Sequence, residues 1–335
     1  MNKLKKIGLT ALSASLVAIS ANAGEMSVSG SAKIATEGFT GENQNAGTTF
    51  SMGNQLTFSG SGELENGLNV SLSFVLDQND DKAADDSTFY NNGTPFDSHS
   101  VSIGNDSLGT LVFAGEGGSS ASGAIDTTAA GDLWDAFDGK TYINNDSTSV
   151  LPDLAVTAAA GDNSIFYTTP ELVDGLTLVA SYSPQGTNKE SASGYGINYT
   201  GVEGLSVHYA DSDVVGATAA ADGDNTVLKA SYAYGPVTVS YSNMEHDLQA
   251  TANDVEVTSY AISYTVTDSI SVTYGNEESQ KGTGNTDAEI DAISASYTAG
   301  GMTISASRYD GENLAYTTGS DEDMEYWSLS ASFAF

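Results

Sequence analysis

The chain has 335 residues, with 44 Asp and Glu against 10 Lys and Arg, a formal net charge of −34 and no cysteine. So acidic a chain lacks the clustered cations that phosphate binding needs, which excludes nucleic acid as a partner, and without cysteine its stability must come from burial or from closure of a sheet. Disorder is excluded too, because 17 Tyr, 11 Phe and Val, Ile and Leu at every second position mark folded strands.

Residues 1–23 open with Lys3, Lys5 and Lys6, continue through an apolar stretch at 7–20 and end in Ala21 and Ala23 ahead of Gly24. This pattern predicts a cleaved secretory signal. The apolar stretch is shorter than the roughly 20 residues a membrane helix needs, and no later segment approaches that length. Residues 24–335 are therefore expected to form one domain, which can cross a membrane only with strands.

Period-two segments recur through this domain. The clearest are Leu205-Ser206-Val207-His208-Tyr209, Val237-Thr238-Val239-Ser240-Tyr241, Tyr260-Ala261-Ile262-Ser263-Tyr264 and Ile270-Ser271-Val272-Thr273-Tyr274. Each places Val, Ile, Leu and Tyr on one face and mainly Ser, Thr, Ala or His on the other. The connections alternate between tight turns (65–67, 105–109, 171–175, 201–204, 235–236, 267–268, 300–301) and long loops (40–49, 79–97, 117–163, 184–192, 212–225, 244–255, 277–287, 311–323). Together they join sixteen strands, and short turns on one side with long loops on the other are the habit of outer-membrane barrels. Tyr182, Tyr209, Tyr241 and Tyr274 fall at the loop ends of their strands, Tyr199, Tyr232, Tyr264 and Tyr297 near the turn ends. Two aromatic belts result, as at two membrane interfaces. The last strand puts Trp327, Leu329, Ala331, Phe333 and Phe335 on one face. A terminus this greasy is stable in lipid and would fray in water. It is expected to seal the sheet, with 327–335 beside 26–34.

The stretch Asn163-Ser164-Ile165-Phe166-Tyr167-Thr168-Thr169-Pro170 followed by Gly175-Leu176, the terminal Phe335 and the longest connection after the fifth strand resemble the trimeric, sixteen-stranded porins of Gram-negative bacteria. The resemblance runs from Gly24 to Phe335. It implies an all-β transmembrane antiparallel barrel in the outer membrane, a homotrimer contacting membrane lipid, that passes ions and small hydrophilic solutes by passive diffusion without enzymatic chemistry or cofactor. It also implies that the third loop, about 117–163, folds into the lumen and constricts it, and that Trp327, Leu329, Phe333 and Phe335 are read by the barrel-insertion machinery.

The residues of that loop can be read independently. In Asp132-Leu133-Trp134-Asp135-Ala136-Phe137-Asp138-Gly139, Asp132 suits an N-cap and Gly139 a helix stop, with Trp134 and Phe137 three apart as anchors against a wall. With the loop inside, Glu116, Asp126, Asp132, Asp135 and Asp138 are candidates for an acidic lining. Alternation turns few cations inward to face them: Lys33 and Lys229, with His208 on the same face. Porins of this family commonly set arginines across from the acidic loop, but the one arginine here, Arg308, has the parity of Met302 and Ile304. The expectation is a negative potential and cation preference.

Most other acids, among them Glu277 and Glu278, read as hydrated groups on external loops. Asp85-Asp86 and Asp321-Glu322-Asp323 are candidates for holding Ca2+ or Mg2+, although no segment has the spacing of a twelve-residue calcium loop. His99, His208 and His246 stand isolated, without metal-ligand spacing. Two alternatives remain at this stage: a secreted, soluble β-rich surface protein, and an outer-membrane barrel with a plugged lumen.

Overall fold

The computed structural model describes residues 26–41, 48–78, 97–137, 140–144, 147–151, 163–184, 190–216, 218–282, 285–318 and 323–335. Residues 1–25, Asp85, Asp86, Asp138, Gly139, Asp321 and Glu322 lie outside them.

The strands are β1 (Met26–Gly41), β2 (Thr48–Glu63), β3 (Asn69–Gln78), β4 (Ser98–Asn105), β5 (Gly109–Glu116), β6 (Thr141–Asn144), β7 (Ser147–Val150), β8 (Ser164–Thr168) and β9 (Leu176–Ser183). They continue with β10 (Ala192–Tyr199), β11 (Leu205–Val214), β12 (Gly223–Tyr234), β13 (Val237–Leu248), β14 (Val255–Thr267), β15 (Ile270–Lys281), β16 (Ala288–Ala299), β17 (Met302–Glu312) and β18 (Met324–Ala334). Sixteen of them pair antiparallel into a closed barrel, while β6 and β7 form a separate hairpin inside the third loop. Helical structure among the described residues is confined to 3-10 turns at Leu133–Ala136, Ala219–Ala221 and Thr251–Asn253.

Alternation sorts the side chains, and the outside is the greasy side. Tyr195 is 61% exposed, Tyr260 53% and Ile262 48%, while Ser181, Ser212, Ser242 and Ser259 on the other parity are buried. Only hydrocarbon or a second copy of the chain makes such an inversion stable, and closure satisfies the backbone groups that lipid cannot. This arrangement overturns the soluble alternative. Within the barrel, cross-strand hydroxyl pairs such as Ser71 with Ser102 (2.8 Å), Ser271 with Ser296 (2.8 Å) and Ser307 with Ser328 (2.7 Å) line much of the wall.

The strand ends differ from expectation on the loop side. β13 runs seven residues past Tyr241 to Leu248, and β15 runs to Lys281, so the loops read at 212–225, 244–255 and 277–287 are shorter. Beyond the outer tyrosines the polarity inverts: Asp213, Glu245, Asp247 and Glu278 take the parity of the tyrosines, and Val227, Met244, Val257 and Ile290 turn inward and are buried. Carboxylates in succession look like loop, but paired backbone does not require an apolar face in water. The seam is shifted as well. Ser31 to Gly41 pair with Ala334 to Met324, and the first residues of β1 pair with β2 alone.

Candidate constriction

The third loop leaves β5 and crosses the inner wall strand by strand. Ala121 N–H donates to Ser181 Oγ on β9 (2.9 Å), Ser122 N–H to Ser212 Oγ on β11 (3.0 Å), Ala129 N–H to Ser242 Oγ on β13 (2.8 Å) and Ala130 N–H to Ser259 Oγ on β14 (3.0 Å). Lys229 Nζ on β12 donates to Thr127 O, and Glu277 on β15 accepts from Thr128 Oγ1. A loop bonded to every strand from β9 to β15 except β10 lies in the lumen. Glycine makes the approach possible at two places: a Cβ on Gly194 would sit 2.2 Å from Ser212 Oγ, and one on Gly275 would sit 2.7 Å from Ala130 Cβ.

Farther along, the loop is held by apolar contact. Trp134 is 6% exposed and Phe137 fully buried, in a cluster with Leu133, Val227, Met244, Val257, Ile290 and Leu314. The Phe137 ring meets Tyr326 edge-on at 6.5 Å, and Lys140 Nζ lies 4.6 Å from the centroid of Phe39 on β1. The loop thus covers the wall from β9 round to β1 and, beyond its roots, where Asn163 N–H donates to Gly115 O at 3.3 Å and Glu116 meets His99, leaves β2 to β5 bare of its described contacts.

The turn at its apex is not a capped helix. Asp132 has φ 55° and makes no side-chain cap on the 3-10 turn Leu133–Ala136. Its Oδ1 instead accepts from the preceding arm, from Thr128 N–H at 2.8 Å. The left-handed conformation points the carboxylate back across the reversal, where a cap would point forward.

The acids and cations sort as follows. Asp126 and Asp132 stand together with Lys229 near them, and Asp135 is exposed, its Oδ1 accepting from Trp134 Nε1 at 2.7 Å. Burial first, and then the charge of Asp132, holds the Asp126 carboxyl above its ordinary value of 3.8; Lys229 and backbone amides pull the other way. Asp132 is raised by burial too, with Asp135 adding to it. Glu116 stands apart from them, its Oε2 4.0 Å from His99 Nδ1 at the root of the loop. Lys33 is exposed on the inward parity of β1, in register with Ser332.

His208, in register with Lys229, has Nδ1 2.8 Å from Asn198 Oδ1 and Nε2 2.6 Å from Ser206 Oγ. An amide oxygen only accepts, so the Nδ1 that meets it donates. Arg308 sits on the outward parity and pairs with Glu325 at 2.7 Å. Asp323 accepts from Asn313 N–H at 3.0 Å, and among the described residues no group of three or more His, Asp or Glu could hold a metal ion.

Residue reading missed Glu277, taken as a hydrated loop acid. It is 2% exposed. The inward run Ser271, Thr273, Gly275, Glu277 carries the signal, since parity keeps Glu277 inside. Lys140 was missed because nothing in a loop sequence says which strand it will meet.

A family model described as Gram-negative porin matches residues 8–303. Among solved structures, an anion-selective porin from Comamonas acidovorans superposes with TM-score 0.66 at 15% identity, covering 93% of this chain and 99% of that one. A multiply substituted Rh. blastica porin gives 0.63 at 16% identity, covering 93% and 100%. OmpT of Vibrio cholerae with its loop L8 deleted gives 0.62 at 15%, covering 94% and 100%. No curated protein matches. At these identities the likeness in structure shows a shared barrel, and the family match over most of the sequence shows the rest: the chain belongs to the Gram-negative porins, channels of the bacterial outer membrane.

Proposed function

We propose that this porin is a passive diffusion channel with a preference for cations, its narrowest passage bounded by the third loop on one side and by β2 to β5 on the other. One observation carries the preference: β2, β3, β4, β5 and β8 contain no Lys or Arg, while the loop carries Asp126, Asp132 and Asp135. The wall cation nearest those acids, Lys229, spends a proton on Thr127 O and is flanked by Asp126 and Asp132. A fixed charge of one sign without a facing counter-charge favours the opposite ion. Anion selectivity is a property named for the Comamonas acidovorans porin, and these residues support the opposite sign here.

Reversal potentials across a planar bilayer with a KCl gradient test the reading. The expected sign is K+ over Cl−; a Cl− preference at neutral pH would sink it. The preference should also depend on pH. Asp126 and Asp132 are raised above 3.8, so their charge disappears on acidification before that of an ordinary aspartate. The K+/Cl− permeability ratio should therefore begin to fall above pH 3.8, and a ratio flat down to that pH would remove these two residues from the passage.

The outward faces support a homotrimer with lipid around it. On β9 to β16 they carry the tyrosines and, beyond many of them, carboxylates. On β1 to β5 they carry Met26, Val28, Ile34, Phe50, Met52, Leu56, Leu72 and Phe113 without a single tyrosine. Belts belong where protein meets a lipid interface, and the beltless face suits contact with a second copy. Cross-linking in the membrane should give a trimer; a monomer throughout would count against that face. Trp327, Leu329 and Phe333, outward on β18, and Phe335 just past its end suit reading by the insertion machinery before the seam shuts.

A further inference from the structure

We propose that Glu277 is the positioning residue of the constriction, a two-pronged clamp that holds both limbs of the loop's reversal against the wall and so fixes where Asp132 stands. This rests on the reading of the loop as the constriction.

The other strands that hold the loop's backbone N–H groups do so through single hydroxyls: Ser181, Ser212, Ser242 and Ser259 accept one each. A hydroxyl can hold one point of a loop. At β15 the wall offers a carboxylate, and its two oxygens reach two points six residues apart. Oε1 accepts from Thr128 Oγ1 and Oε2 from Trp134 N–H at 3.3 Å, with Ser259 Oγ 3.4 Å from Oε1. Between those two points the chain reverses through Gly131 (φ 94°) and Asp132 (φ 55°), a left-handed pair that needs outside support to persist.

The clamp is linked to Asp132 through one side chain. Thr128 Oγ1, while donating to Glu277, accepts from Asp132 N–H at 2.8 Å and Gly131 N–H at 3.1 Å, and Thr128 N–H returns a bond to Asp132 Oδ1 at 2.8 Å. Glu277 therefore sets the direction of the Thr128 hydroxyl, and that hydroxyl sets Asp132. Two residues down the same inward face, Gly275 leaves the room in which Ala130 rests on the wall. No Lys or Arg of the described residues lies within 4.0 Å of Glu277, since the ion pairs found are His99 with Glu116 and Arg308 with Glu325. A carboxylate 2% exposed and served only by neutral donors is an expensive way to fill space. It is explained by the need for two acceptors on one side chain.

Four substitutions test this in the intact protein: Glu277→Ala, Glu277→Gln, Thr128→Val and Thr128→Ser. Each is recorded in planar bilayers, and each is repeated with Ala130→Cys, whose thiol is unique in a chain without cysteine and reports whether the loop lies on the wall. Thr128→Ser keeps the hydroxyl and should match wild type. Glu277→Ala and Thr128→Val should each raise the labelling rate at position 130 by about tenfold and shift single-channel conductance. Combined, they should do no more than either alone, because both cut one linkage.

Glu277→Gln separates a clamp from mere packing. The amide fills the same space but turns an N–H toward one of the two donors, so it should behave like Glu277→Ala. Wild-type labelling and conductance in Glu277→Gln, or additive effects of Glu277→Ala and Thr128→Val, would overturn the proposal. Should a Glu277 variant fail to give the heat-resistant barrel band, the contrast between Thr128→Val and Thr128→Ser decides. A wild-type pore that prefers Cl− sinks the ion-preference reading alone, since labelling and conductance report the clamp without reference to ionic sign.

Discussion

Exchanging both Asp126 and Asp132 for lysine is expected to reverse the ion preference of the pore. Each exchange alters the fixed charge by two units. At about 8 Å from a passing monovalent ion, with an effective dielectric constant between 80 and 20, two units are worth roughly 1 to 4 kcal/mol. Two exchanges at even the lower end exceed the 1.4 kcal/mol that makes a factor of ten, so a modest cation preference cannot survive them. The substitutions are compatible with the site because both positions are only partly buried and a lysine stem can carry its ammonium out to the passage. The Thr128 N–H bond to Asp132 Oδ1 is lost, which makes Asp126→Asn with Asp132→Asn the necessary companion. That pair removes the negative charge while leaving an amide Oδ1 that can accept from Thr128 N–H, and its permeability ratio should fall between the other two. Recording at about 0.1 M salt matters, since the screening length is then about 10 Å and at 1 M only about 3 Å. Retained K+ preference in the lysine variant would show that these acids do not line the passage.

The architecture was legible in the residues because lipid imposes one rule on every spanning strand. Tyr209, Tyr241 and Tyr274 each end an alternating run, and alternation alone assigned Lys33, Lys229 and His208 to the inward face. Above the outer tyrosines that rule lapses. Val227, Met244 and Val257 are buried there by the third loop and Glu245 and Asp247 are wet, so the same period continues with its polarity reversed and resembled loop. The inward third loop was legible in its composition and not in its attachment. Trp134 and Phe137 stood out as anchors by being large and apolar. The wall that receives the loop is made of serines at Ser181, Ser212, Ser242 and Ser259, residues that also line the rest of the lumen and carry no mark of their task. Glu277 was hidden by its neighbours, Glu278 and a polar stretch, although its parity separates it from them. Asp132 was assigned as a cap from local pattern, and Thr128, four residues earlier, drew its carboxylate backward through a bond that local pattern does not contain.

Closing the barrel should be the step most sensitive to mutation, and two glycines of β1 are where it is most exposed. On the outward face of the seam, a Cβ at Gly30 would lie 2.5 Å from the Phe335 ring, and one at Gly38 would lie 2.7 Å from Trp327 Nε1. Trp327 and the terminal Phe335 each lie over a glycine of β1, so the flat ring covers a strand that has no side chain there. Gly30 also exchanges backbone bonds with the last residue, its N–H donating to Phe335 O at 2.7 Å and its O accepting from Phe335 N–H at 3.0 Å. Replacing both glycines with valine puts branched carbons where the rings lie and must push Trp327 and Phe335 off the strand or prise the strands apart. Partial opening is no refuge. Eleven paired positions form the seam, and each backbone group left unpaired in hydrocarbon costs several kcal/mol, so a seam that cannot shut leaves a sheet that cannot stay in the bilayer. The double variant should fail to give the heat-modifiable band of a folded barrel when refolded into detergent micelles or vesicles. Phe335→Ala and Trp327→Ala, which remove the rings and leave the glycines and the register, should fold with lower yield and lower thermal stability. Folding of the Gly30→Val, Gly38→Val protein at wild-type yield would show that the rings can leave the seam without consequence, and that backbone pairing between β1 and β18 closes the barrel unaided.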